Sequence, residues 1–130
     1  MLRVEVANLE SVKTFLSTKS RTSKNTSKAY LTALRRFNES LNPDTVETIL
    51  HRIIKEEKDV YNVLDSFVGY LKQRGDPATS IIFYMAGVKS YLAYHGIDIV
   101  PRIFKNKVFM PKVLTEEEQA IDASIDIVKV

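Results

Sequence analysis

The sequence predicts an all-α chain, a compact bundle of four to five helices, on three observations. Glycine and proline are scarce, four of each in 130 residues, and they fall between periodic stretches. Inside those stretches apolar residues recur three and four positions apart, the period of a helix with one buried face. The stretches also open on capping residues or close on glycine or proline.

Taken in order, residues 9–17 (LESVKTFLS) form a short first helix capped by Asn8, and TKSRTSKN after it reads as a loop. A second helix runs from about Asn25 to Leu41, burying Tyr30, Leu34, Phe37 and Leu41. Asn42-Pro43 ends it, because the residue before a proline disfavours α conformation. A third helix spans roughly 44–56, with Asp44 and Glu47 at capping-box spacing and Val46, Ile49, Leu50 and Ile53 inward. A fourth, about 60–74, is capped by Asp59 and stopped by Gly75, and buries Val60, Val63, Leu64, Phe67 and Leu71. Pro77 opens the fifth, about 77–94, whose stripe is Ile81, Met85, Val88 and Leu92 and which closes at Gly96.

From residue 97 the periodicity lapses. IDIVPRIFKNKVFMPKVL is expected to run extended, with Pro101 and Pro111 preventing a continuous helix. Thr115 and Glu118 then have the spacing of a further capping box. The expected organisation is a helical domain over 1–98 followed by a basic linker over 99–130.

Composition narrows the class. An apolar fraction of 45% and a charged fraction of 27% suit a folded globular chain. No apolar run is long enough for a membrane span, and MLRVEVANLE lacks the apolar core of a signal peptide. The absence of cysteine excludes disulfides and thiolate zinc sites and fits a cytoplasmic location.

The net charge of +3 is modest, but its distribution is uneven. Between Glu10 and Glu39 lie seven basic residues and no acid; between Asp98 and Glu116 lie four more, again with none. Residues 39–76 hold eight acids against five basic residues. Two acid-free basic segments are an asymmetry that attracts polyanions.

Catalytic chemistry is hard to assemble. The two histidines, His51 and His95, stand alone, His95 at a helix C-terminus where it complements the dipole. There is no glycine-rich phosphate loop and no paired-histidine metal spacing. Glu116, Glu117 and Glu118 point in different directions from a helix start and read as a solvated turn rather than a metal site. Tyr30 and Tyr91 read as core. No metal or cofactor is expected.

Binding chemistry is better supplied. Lys24, Lys28 and Arg35, at i, i+4 and i+11, share one face of the second helix, with Thr26 nearby. These residue types contact DNA phosphates, and a helix N-terminus adds N–H donors. The same residues would also make a merely solvated, capped face. The outward face of the fifth helix offers Thr79, Ala86, Lys89 and Ser90 beside an exposed Ile82 and Phe83. That apolar pair keeps a second class open, a protein-interaction module.

Several stretches together resemble the N-terminal core-binding (SAM-like) domain of the tyrosine recombinase, or phage integrase, family, in its archaeal-type branch. Asn25, Thr26, Tyr30, Leu34 and Phe37 match the family's second helix in identity and spacing. DVYNVLDSFVGYLKQRG (59–75) is similar to the helix before its main DNA-contacting helix, and ATSIIFYMAGVKSYLAYHGIDI (78–99) to that helix itself. FKNKVFMPKV (104–113) and EEEQAID (116–122) are similar to the interdomain linker. The resemblance covers roughly residues 10–122.

It implies a domain that docks on one side of double-stranded DNA, while a separate catalytic domain of the same protein closes on the other and neighbouring protomers occupy the same site. The reaction's tyrosine, arginines, lysine and histidines would all belong to that catalytic domain. Carried over by position, the DNA-binding candidates are Thr22, Lys24, Asn25, Thr26, Lys28 and Arg35, then Thr79 and Lys89, then Lys105 and Lys107. Arg21, in the basic segment just before the second helix, joins them. A free-standing regulator that occupies recombination sites without cutting them is the remaining alternative.

Overall fold

The computed structural model describes residues 5–21 and 23–112. Among them lie a 3-10 turn, Val6–Asn8, and six helices: α1 Glu10–Ser20, α2 Lys24–Leu41, α3 Val46–Ile54, α4 Val60–Arg74, α5 Ala78–Tyr94 and α6 Pro101–Lys107. There is no strand among the described residues. The expected all-α class is what the chain adopts. Thr22, the capping pair Thr115 and Glu118, and the run Glu116–Glu118 lie outside the described residues.

The apolar stripes face inward as their spacing requires. Leu34 and Phe37 of α2 are fully buried, and Tyr30 and Leu41 pack half-buried against the core. All four expected residues of α3, all five of α4 and all four of α5 are buried.

Several boundaries differ from expectation, each for a local reason. Asn8 belongs to the 3-10 turn, so Leu9 takes the N-cap position of α1, without a side-chain cap. α1 then continues through the expected loop to Ser20, with the hydroxyls of Thr18 and Ser20 bonding back to the carbonyls of Thr14 and Ser17. α2 starts at Lys24 because Ser23 caps it, its hydroxyl accepting from the Thr26 N–H. The capping box of α3 is made by Thr45 and Thr48, not by Asp44 and Glu47. Those two acids have tertiary partners instead: Asp44 pairs with Arg52 at 2.9 Å, and Glu47 accepts from Ser11. Asp59 stands at the N-cap of α4 without a capping bond. Gly75, at φ 85°, closes α4 in the left-handed conformation that glycine adopts without steric cost.

The largest departure is α6. Residues 101–107 are helical, not extended, because Pro101 occupies the first turn, where its missing N–H is not needed. The segment docks on α4: the Tyr61 hydroxyl accepts from the Val100 N–H at 3.0 Å, and Val108 is buried in the common core. The helical body therefore reaches past residue 98 to at least Val108.

α2 and α5 cross in close contact at Ala33 and Gly87. A Cβ on Gly87 would lie 2.6 Å from the Ala33 Cβ. Beside the crossing, Phe15 of α1 wedges its ring among Tyr30, Tyr91 and Tyr94, with centroids 5.2, 5.7 and 5.5 Å away. Further along α2, Phe37 meets Phe67 of α4 at 5.1 Å.

A polar junction ties α1, α3 and α5 together. The Ser11 N–H and hydroxyl both donate to Glu47 Oε2 at 2.9 Å. Tyr91 Oη lies 2.8 Å from the Ser11 hydroxyl and donates to the Val46 carbonyl, while the Ser11 carbonyl accepts from His95 Nε2. Burial pushes the Tyr91 phenol up to about 12, so it stays protonated and serves structure, as expected of a core tyrosine.

Two predictions follow from this packing. Gly69 in α4 is exposed and an added Cβ meets nothing within 4 Å, so Gly69→Ala should stabilise by about 0.5–1 kcal/mol through helix propensity alone. Gly87→Ala makes the same chemical change but forces two backbones apart, and should destabilise by about 1–2 kcal/mol net. Urea denaturation of the two variants should move in opposite directions. The second concerns acid. The Ser11 N–H lowers the Glu47 pKa below its ordinary value of 4.5. A depressed carboxylate stabilises the fold fully above its unfolded value and loses that contribution as pH falls through the folded one. Glu47→Gln should be less stable than the parent above about pH 5, and the gap should close below about pH 4, read as thermal midpoints across that range.

Candidate nucleic-acid interface

α2 is built so that its inner face supplies core and its outer face supplies charge. With Leu34 and Phe37 turned inward, Lys24, Asn25, Lys28, Thr32 and Arg35 are exposed. Lys24 and Lys28 stand one turn apart at the end where the helix dipole is already positive, a position that disfavours cations. Among the described residues, no acid lies within ion-pairing distance of either. Thr26 is half-buried, and its N–H is spent on the Ser23 cap.

Arg35, expected as a phosphate contact, is engaged within the chain. Its Nε and Nη2 both donate to Glu5 Oε1, at 3.3 and 3.0 Å. Both side chains are about half exposed, 50% and 51%, so the pair is weak and screened by salt. Nothing in the sequence signals it, because thirty positions separate the partners and only the turn at Val6–Asn8 brings them together. The basic run ends one residue later. Arg36 pairs with Glu39, which also takes Arg74 of α4, and Arg74 in turn reaches Asp76.

The other candidates sit at the end of α1 and on α5 and α6. Arg21 is exposed at the C-cap of α1. Thr79 is exposed in the first turn of α5. Lys89 reaches α6, its Nζ 4.2 Å from the centre of the Phe104 ring. Lys105 and Lys107 are exposed on α6, Lys107 with its Nζ 5.8 Å from the Tyr61 ring. Lys89 is thus grouped with the α6 lysines. No hydrogen bond, ion pair or ring contact among the described residues joins that group to Lys24 and Lys28. Ile82 and Phe83 are exposed, at 38% and 49%, as expected.

The ion pairs among the described residues are made by arginines and not by lysines. Among the described residues, the ion pairs engage Arg35, Arg36, Arg52 and Arg74. None engages Lys13, Lys19, Arg21, Lys24, Lys28, Arg102, Lys105 or Lys107 of the two acid-free segments, nor Lys55, Lys58, Lys72 or Lys89 outside them. No group of three His, Cys, Asp or Glu side chains among the described residues is placed to hold a metal, and no described helix is long and apolar enough to cross a membrane. Compared with known proteins, the chain matches no family model, no curated protein and no solved structure.

Proposed function

We propose that this chain is a DNA-binding module that holds the backbone of duplex DNA, acting as the core-binding part of a tyrosine recombinase whose chemistry resides in a separate domain. The observation that carries this reading is the pair Lys24 and Lys28: exposed, unneutralised and one turn apart on a helix with no acid before Glu39. Asn25 and Thr32 on the same exposed face add neutral donors of the kind that contact phosphates. An anion at this end of α2 relieves the unfavourable placement of cations against the helix dipole. Arg35 extends the same stripe once a phosphate displaces Glu5, which an exposed ion pair opposes by no more than about 1 kcal/mol.

A mixed-sequence duplex, followed by fluorescence anisotropy across a salt series, tests the reading. Log affinity should fall linearly with log salt, and Lys24→Ala or Lys28→Ala should each lower the slope by about one while weakening all sequences alike. Glu5→Gln should raise affinity, up to about fivefold, by releasing Arg35. Absence of duplex binding at low salt, or binding indifferent to salt, would overturn the proposal. A salt-insensitive homodimer through Ile82 and Phe83 would instead favour the protein-interaction reading.

A further inference from the structure

The segment expected as a basic linker builds a second, different surface. Phe104, Lys105, Val108, Phe109 and Met110 line a groove of about 290 Å³. Phe109 is 72% exposed, the highest value among the large apolar side chains described. Its backbone is nevertheless fixed at both ends by α4: the N–H donates to Asp65 Oδ1 at 3.0 Å, and the carbonyl accepts from Lys72 Nζ at 3.3 Å. A ring held at a defined place in water, with apolar neighbours beside it, is a contact surface rather than a stray side chain.

The charge around the groove selects what can cover it. Lys105 is part of the lining, Lys72 sits at the Phe109 carbonyl, and Lys89 caps the Phe104 ring. Asp65, the acid that touches this segment, is already engaged by the Phe109 N–H. A wholly apolar occupant would strip water from these ammonium groups without replacing it. An occupant that is aromatic and anionic satisfies both parts of the surface. Unpaired nucleotides combine a π face for the ring with a phosphate for the lysines, whereas a duplex keeps its bases stacked on one another.

We infer that the α6 groove binds single-stranded nucleic acid, with a base stacked on Phe109 and its phosphates taken by Lys105 and Lys72. This site is separate from the duplex-binding face of α2 and does not depend on it, since Lys24 and Lys28 take no part. Sequence preference is expected to be slight, because every base offers a π face.

Labelled oligo-dT is the probe, with anisotropy as the readout. Phe109→Ala removes an exposed ring and leaves the core untouched; it should weaken oligo-dT binding by roughly tenfold and leave duplex affinity unchanged. Phe109→Trp should retain binding. Because the chain has no tryptophan, that variant carries a single indole, whose emission oligo-dT should quench on stacking. Lys105→Ala should weaken binding and flatten its salt dependence. The inference is overturned if Phe109→Ala binds oligo-dT as tightly as the parent, or if the indole emission does not change. It is also overturned if the indole responds to anionic lipid vesicles or to an apolar peptide but not to oligo-dT. If Lys28→Ala alone abolishes oligo-dT binding while Phe109→Ala does not, the duplex reading stands and this one falls.

Discussion

The approach of α2 to α5 at Ala33 and Gly87 is the constraint from which the rest of the arrangement follows. With no side chain on one helix and a single methyl on the other, the two backbones come closer than leucine or phenylalanine would permit. That closeness turns Leu34 and Phe37 into the core and leaves the lysines of α2 no direction but outward. It also sets the position of Tyr91, whose hydroxyl reaches both α1 and α3. The polar junction around Ser11 is then a consequence of the crossing: its part-buried polar groups are tolerated because each finds a partner.

The interior of the bundle was legible because helical period is a local property. Ile81, Met85, Val88 and Leu92, or Val46, Ile49, Leu50 and Ile53, declare a buried face by spacing alone, and all eight are buried. Gly75 was legible as a stop for the same reason. What misled was competition between neighbours. Asp44 with Glu47 and Thr45 with Thr48 are two overlapping capping candidates one residue apart, and the choice was made by Arg52 and Ser11, which no local pattern reveals. α6 was hidden because a seven-residue helix between two prolines lacks a period long enough to read, and its stability comes from Tyr61, Asp65 and Lys72 on α4.

The candidate site divides along the same line. The exposure of Lys24, Asn25 and Lys28 could be read from the helical face opposite Leu34 and Phe37. The attachment of Arg35 to Glu5 and of Lys89 to Phe104 could not, since each joins elements far apart in sequence. The candidate lysines are held by different helices and surrounded by different chemistry: hydroxyls and amides on α2, aromatic rings beside α6.

α2 is also electrically lopsided from end to end. Lys24 and Lys28 stand in its first two turns, whereas beyond its last turn three acids, Asp44, Glu57 and Asp59, border the cleft between α2, α3 and α4 against one cation in that lining, Lys58, and Arg52 paired with Asp44. In the field of a polyanion such a body experiences a torque as well as an attraction. Within a Debye length of about 8 Å at physiological salt, tumbling becomes biased so that the lysine end arrives first and the carboxylate end trails. The geometry of the encounter is then partly chosen before any atoms touch.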